Sequence, residues 1–290
     1  QYDSAVTRYL EAVSIFSRIK EDNKACFTYF NLSGVYIFLE EPQKALYYAN
    51  ETSRTAALTG DSVLIMRGFM ALADAYIKLK QYDSAYALSQ KGLQFALKHN
   101  NVFGIGKFYS LLGTYHVQKT KQYEKAIDYY KKALTEYESI QIWYDIAFLK
   151  QLLGNAYLMK GDYSMAVTTL KDADAIAVNL KLNQVRLLTL SQLVEAEEKL
   201  GNINESYKYL KAYNVIKDSV QARNNRRAVE DLEAKYQTQK KELQLSALEK
   251  DVKQKRLLIY LFGGVVISLL VISLLSYRNY KQQQKLQQQK

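Results

Sequence analysis

The apolar residues of this chain recur every three or four positions over long stretches, which is the period of a helix buried on one face. Residues that break helices are rare, with 12 glycines and 1 proline among 290 residues. The apolar runs are separated by short polar breaks at Gly60, Asn100, Gly161 and Gly201. The pattern predicts an all-α chain of long helices joined by short turns.

Small residues recur at a fixed interval along the chain, in four cases three residues after a tyrosine. The members of this series are Ala5, Ala45, Ala85, Ala126, Ala166 and Ser206, at intervals of 40, 40, 41, 40 and 40 residues. About twelve residues before each of the last five, a leucine opens a second pattern, in which a small residue and then a tyrosine usually follow. These leucines are Leu32, Leu72, Leu112, Leu153 and Leu193. The two patterns predict half a repeat and five two-helix repeats over residues 1–218.

The signature of each unit resembles the tetratricopeptide repeat (TPR), and one unit matches it most fully. The matching residues are Leu153, Gly154, Tyr157 and Ala166. The period of 40 residues departs from the usual one of about 34. The last unit has Glu197 and Ser206 at the tyrosine and alanine positions, as expected of a capping repeat. The resemblance implies a TPR-like α-solenoid.

A TPR solenoid holds peptides or partner helices on its concave face, which the first helix of each unit lines. By this resemblance, the residues expected on that face are Arg67, Asp74, Lys78, Lys107, Gln118, Asn155 and Glu195. They lack the full Lys/Asn/Arg set with which chaperone-binding TPR domains hold a terminal carboxylate. The alternative is that they are ordinary solvated positions.

The sequence predicts no catalytic, cofactor-binding or metal-binding residue. Gly-rich phosphate loops and nucleophile elbows are absent from it. Neither His99 nor His116 has a Cys or a second His at metal-ligand spacing, and the single cysteine, Cys26, fits a small core position. We expect this chain not to be an enzyme.

Residues 219–256 form a polar run without glycine or proline, which predicts a helical stalk. One heptad seam is formed by Val229, Leu232, Tyr236 and Leu243. It continues only after a shift of register, at Leu245, Leu248 and Val252. A coiled-coil homodimer and a single helix lying against the last repeat are both compatible with this pattern.

Residues 257–277 contain no charged side chain over 21 positions, and Arg256 and Arg278 flank them. This length is enough for a helix to span the hydrocarbon core of a bilayer, which is about 30 Å thick. The segment predicts a transmembrane helix. Gly264 and Ser268 form a small-xxx-small pair that is a candidate for packing two such helices.

The net charge of +11 concentrates around this apolar segment. Residues 219–290 hold 14 Lys and Arg against 6 Asp and Glu, whereas residues 1–218 hold 26 against 23. Such a distribution indicates contact with lipid headgroups and no nucleic-acid partner. Four basic residues lie on each side of the span, so charge alone does not set its orientation.

The order of solenoid, stalk, span and a Gln/Lys-rich helix over residues 278–290 resembles the sensory half of bacterial TPR-containing sensor histidine kinases. The resemblance implies a single-pass inner-membrane protein with a periplasmic solenoid and a cytoplasmic C-terminus. Because the chain opens inside a repeat and stops inside a helix, we expect any kinase domain to follow Lys290. The alternatives are a helix-turn-helix regulator of similar architecture and a membrane-anchored TPR scaffold.

Overall fold

The computed structural model describes the backbone of residues 2–288. Side chains lie outside the described part at residues 1–4, 223–235, 237, 243, 247, 257–259, 261, 263, 265, 266, 270, 271, 280 and 282–290. The chain divides into two compact units, residues 1–222 and residues 223–290, which we describe separately.

The described backbone is helical and follows the predicted two-helix repeats. The helices are α1 Tyr2–Arg18, α2 Asp22–Phe38, α3 Pro42–Thr59, α4 Ser62–Lys78, α5 Tyr82–Lys98, α6 Val102–Tyr115 with a π-helical turn His116–Thr120, α7 Tyr123–Ser139, α8 Trp143–Lys160, α9 Tyr163–Asn179, α10 Asn183–Lys199 and α11 Ile203–Gln288. The first helices of the five units are α2, α4, α6, α8 and α10, and the second helices are α3, α5, α7, α9 and the start of α11. Helix α1 is the second helix of the half repeat.

Every turn between consecutive helices contains one residue with positive φ. Three of these residues are glycines, and the other seven are Lys20, Glu40, Lys80, Asn100, Lys121, Gln141 and Lys181. In most of the turns, the next amide donates to the carbonyl oxygen five residues earlier, for example from Gln81 to Tyr76 at 2.8 Å. This is the Schellman arrangement, which satisfies the last carbonyls of a helix. The turns therefore follow one another about every 20 residues.

Small residues let the helices of a unit pack closely, as the sequence pattern predicted. All five members of the small-residue series on the second helices of the full units, from Ala45 to Ser206, are buried. On the first helices, a Cβ added to Gly154 would lie 2.6 Å from the side chain of Leu170 on α9. Buried Ile216 places the start of α11 in the same core, which it closes after the last unit.

The π-helical turn coincides with the one longer interval in the repeat. The leucine series places the extra residue after Leu112, and the alanine series places it before Ala126. Between them, the amide of Gln122 donates to the carbonyl oxygen of His116 at 3.1 Å, a span of six residues where the other turns close over five. One inserted residue is thus absorbed locally as a π-bulge, and the later helices keep their register.

His116 stands in this turn at the position held by tyrosine in other units. Its ring is buried, stacks on Tyr129 with centroids 5.5 Å apart, and has Nδ1 3.1 Å from the hydroxyl oxygen of Thr120. Burial, with the positive charge of Lys125 adding to it, lowers the pKa of His116 below its ordinary value of 6.5. The imidazole is therefore neutral near neutral pH.

We expect the free energy of unfolding to fall with pH more steeply in the natural protein than in a His116→Tyr variant. The unfolded chain binds this proton more tightly, so stability that is complete above 6.5 is lost as the pH falls through 6.5 toward the lowered folded pKa. Urea unfolding at several pH values measures the slope. His99→Gln, at an exposed histidine, is the control, and equal slopes for the natural protein and His116→Tyr would contradict the expectation.

The second unit consists of the later part of α11. The described seam side chains Tyr236, Leu245, Leu248 and Val252 are exposed in the single chain, and the other seam residues lie outside the described part. The Ser268 hydroxyl donates to the carbonyl oxygen of Gly264 at 2.8 Å, and a Cβ added at Gly264 would meet open space. The coiled-coil homodimer and the packing of two spans stay predictions.

Within the described residues, none of the helices combines the length and the apolar character that a membrane crossing needs. This finding does not confirm the transmembrane helix predicted over residues 257–277. Nine of those 21 residues have side chains outside the described part.

Candidate functional site

The exposed surface of α2, α4, α6, α8 and α10 forms what we call the first-helix face. First helices of neighbouring units pack directly on each other, as α2 does on α4, α4 on α6, and α8 on α10. Among the described residues, no two second helices pack as closely. Because the helices on the inner side of a curved array are the closer ones, the first-helix face lies on the inner side of the solenoid.

The seven residues expected on this face all lie on first helices or in the π-helical turn. Lys78, Gln118 and Glu195 are exposed, and Arg67, Asp74, Lys107 and Asn155 are half-buried. The structure brings Asp74 and Lys107 together and leaves the other five in separate surroundings. Their role in binding a partner stays a prediction.

Lys107 on α6 reaches back to α4, where its Nζ lies 3.0 Å from Oδ1 of Asp74. A third charged group, Asp145 on α8, faces the same lysine, although the sequence did not single it out. Burial raises the pKa of the Asp145 carboxyl, and the positive charge of Lys107 opposes the shift. The lysine thus serves two carboxylates, and the middle of the first-helix face is not basic.

Arg67 on α4 has a different environment. Its guanidinium lies over two rings of α2, 4.8 Å from the centroid of Phe27 and 5.0 Å from that of Phe30. Burial lowers the pKa of this guanidinium. The neighbouring Cys26 is buried as predicted, and burial raises the pKa of its thiol to about 11, so it is a core residue and not a reactive thiol.

Sequence reasoning missed the apolar residues of the first-helix face. Phe27, Phe148 and Leu188 are 45%, 39% and 48% exposed. They occupy the same register position as Arg67 and Lys107, since the five residues follow one another at intervals of 40, 40, 41 and 40. The repeat spacing was the signal that could have found them. We call these five residues the register row.

Comparison with known proteins agrees with this architecture. Residues 106–139, from α6 through the π-helical turn to the end of α7, match the family model of the tetratricopeptide repeat. No curated protein has detectable sequence similarity to the chain.

Several solved structures share the fold at low sequence identity. BtubC (BKLC) from P. vanneervenii is 17% identical with a TM-score of 0.61, over 76% of this chain and 92% of that one. Kinesin light chain TPR-like repeats from Podosopora anserina are 17% identical with a TM-score of 0.51, over 67% and 95%. A signal transduction ATPase with a tetratricopeptide repeat sensor, PH0952 from Pyrococcus horikoshii, is 17% identical with a TM-score of 0.58, over 78% and 35%. These likenesses confirm an all-α, TPR-like helical solenoid.

Proposed function

We propose that this chain binds a partner protein on its first-helix face and forms the input part of a single-pass membrane signalling protein. The proposal rests on the register row, in which three exposed apolar side chains flank two cationic ones on the inner side of the solenoid. Contiguous apolar side chains rimmed by polar ones are typical of protein-binding surfaces. The flanking polar residues, such as Asn155 and Glu195, would supply hydrogen bonds at the rim.

Peptides selected on the full chain from a random display library test the binding face. We expect Phe148→Glu and Leu188→Glu each to weaken such peptides at least about tenfold, because a charge would lie in the desolvated contact, and about 1.4 kcal/mol is enough for that factor. Fluorescence anisotropy with labelled peptides gives the affinities.

The matched controls are Met165→Glu and Val178→Glu on α9, whose side chains are as exposed as those of Phe148 and Leu188 but lie on a second helix. They should bind the peptides like the natural chain. Equal affinities for all four variants would contradict the proposed face. Thermal unfolding confirms that each variant is folded.

The membrane part of the proposal is supported by the uncharged residues 257–277 and the arginines on either side. We place the protein in a bacterial inner membrane, with the solenoid in the periplasm and the C-terminus in the cytoplasm. Stalk helices and spans would pair in a homodimer, with Gly264 and Ser268 at the contact of the two spans.

Arginine in place of both Ile267 and Leu269 should release the chain from membranes. Each arginine near the middle of a span costs about 2.5 to 3.5 kcal/mol of insertion free energy. The measurement is the fraction of chain that stays in the membrane pellet after alkaline extraction. Arginine in place of Leu245 and Leu248, in the stalk, is the control, and a natural chain that is itself extracted would refute the span.

The signalling part of the proposal is a change in the stalk when a partner binds, which the span passes to a cytoplasmic output such as a histidine kinase. The sequence order of solenoid, stalk and apolar segment supports it. In the full-length parent, Phe148→Glu should alter the output, because the variant no longer binds its partner. Output equal to that of the Met165→Glu control under all growth conditions would contradict a sensory role.

A further inference from the structure

An open groove of about 440 Å³ lies on the first-helix face, where the start of α4 faces α2 and the end of α1. Its walls are mainly apolar, from Phe16, Phe27, Val63 and Leu64. Arg67 lies in the same groove, half-buried over the Phe27 and Phe30 rings. A single guanidinium is thus presented within an apolar surface.

Arg67 lacks an ion pair with any carboxylate in the described part of the chain, and the repeat explains why. Lys107, at the same register position one unit later, pairs with Asp74, which lies 33 residues before it. The residue 33 positions before Arg67 is Gly34, which has no side chain to offer. The fold therefore repeats the cation of this contact and omits its anion.

The other charged groups of the groove already have partners. Lys24 lies 3.5 Å from a carboxylate oxygen of Glu21. The Asp61 carboxylate accepts hydrogen bonds from the amides of Val63 and Leu64, at 2.7 and 3.3 Å, and so caps α4. Arg67 is left with one unmatched positive charge, which suits a single negative charge such as a carboxylate better than a doubly charged phosphate.

We infer that this groove binds a segment of the partner protein in which an aspartate or glutamate side chain lies next to an aliphatic or aromatic one. The carboxylate pairs with Arg67, and the apolar side chain packs between Phe16, Phe27 and Val63. Arginine stacked on aromatic rings keeps its N–H groups in the ring plane, directed outward to accept a planar carboxylate. The inference rests on the proposed binding face and names the ligand chemistry at one end of it.

The test uses the full chain and the peptides selected on it from the random display library. We expect the selected peptides to be enriched in Asp or Glu beside an apolar residue. Arg67→Met, which keeps the contact with the phenyl rings and removes the charge, should weaken them at least about tenfold, because a charge-assisted hydrogen bond contributes about 1.5 to 3 kcal/mol. Changing the acidic residue of the peptide to its amide should cause the same loss in the natural chain and no further loss in Arg67→Met.

A second variant supplies the missing anion from within the chain. Gly34→Asp should pair with Arg67 as Asp74 pairs with Lys107, since a Cβ at Gly34 meets nothing within 4 Å. It should weaken the peptides as Arg67→Met does, while Gly34→Asn should not. This variant decides the question even if Arg67→Met fails to fold.

Each other outcome overturns the inference in a distinct way. Peptides that bind Arg67→Met and Gly34→Asp normally but lose binding with Phe148→Glu leave the binding face in place and refute the carboxylate site. Peptides insensitive to all of these variants refute both proposals. Tighter binding of phosphoserine than of glutamate at the acidic position refutes the single-charge assignment.

Discussion

Replacing Phe108 by alanine should lower the free energy of unfolding by about 3 to 5 kcal/mol. Its ring is completely buried at the centre of a cluster that includes Met70, Ile105 and Leu111. The backbone of Gly92 on α5 lies directly against the ring, so that a Cβ there would be 2.3 Å from two ring atoms. Because no side chain at that position can move into the vacated space, the cavity stays open and the loss is near the upper end for a large-to-small change.

Urea unfolding of the full chain, followed by circular dichroism, measures this loss. Leu58→Ala, on the exposed side of α3, is the control and should change the stability by no more than about 0.5 kcal/mol. A loss below about 1.5 kcal/mol for Phe108→Ala would mean that the neighbouring units repack around the site, contrary to the close contact with Gly92.

The second large effect is expected at Gly113, for which Gly34 is the matched control. An alanine Cβ at Gly113 would lie 2.6 Å from Cε1 of Tyr130. That ring is buried, and its hydroxyl lies 3.2 Å from the hydroxyl oxygen of Thr114, so it has little freedom to move away. Gly113→Ala should therefore cost about 1 to 3 kcal/mol.

Gly34→Ala should have the opposite sign. The same position in the first unit meets nothing within 4 Å, so alanine adds only its better helix propensity, a gain of about 0.5 to 1 kcal/mol. Unfolding of the two variants side by side shows the difference. A change of the same sign at both sites would refute the close approach of α6 and α7 at Tyr130.

Close packing is what made the solenoid predictable from the sequence. Two helices approach each other closely only where one side chain is small, so Ala126 and Gly154 mark the contacts directly. The turns were only partly predictable. Glycine ends three helices, but residues such as Lys80 and Gln141 adopt positive φ at a cost of about 1 to 2 kcal/mol, which the helix-ending hydrogen bonds and the packing of both helices offset.

The candidate site divides in the same way. The repeat register placed Arg67 and Lys107 on the first helices, yet an exposed Phe148 has the same helical period as a buried one, so only the packed structure shows that its ring faces solvent. Likewise, the pairing of Lys107 and the lack of a pair at Arg67 depend on contacts between neighbouring units. A sequence read one helix at a time does not contain that information.

The recurrence of the same turn every 20 residues makes the single helix, and not the pair, the step by which the chain advances. Inheritance of the array therefore has a parity. A duplication of two steps adds a unit and leaves every later helix on its own side. A duplication of one step would exchange the inner and outer surfaces of all that follows, burying Phe148 and its neighbours in the wrong layer. Lineages of this protein should consequently differ in length by whole pairs of helices.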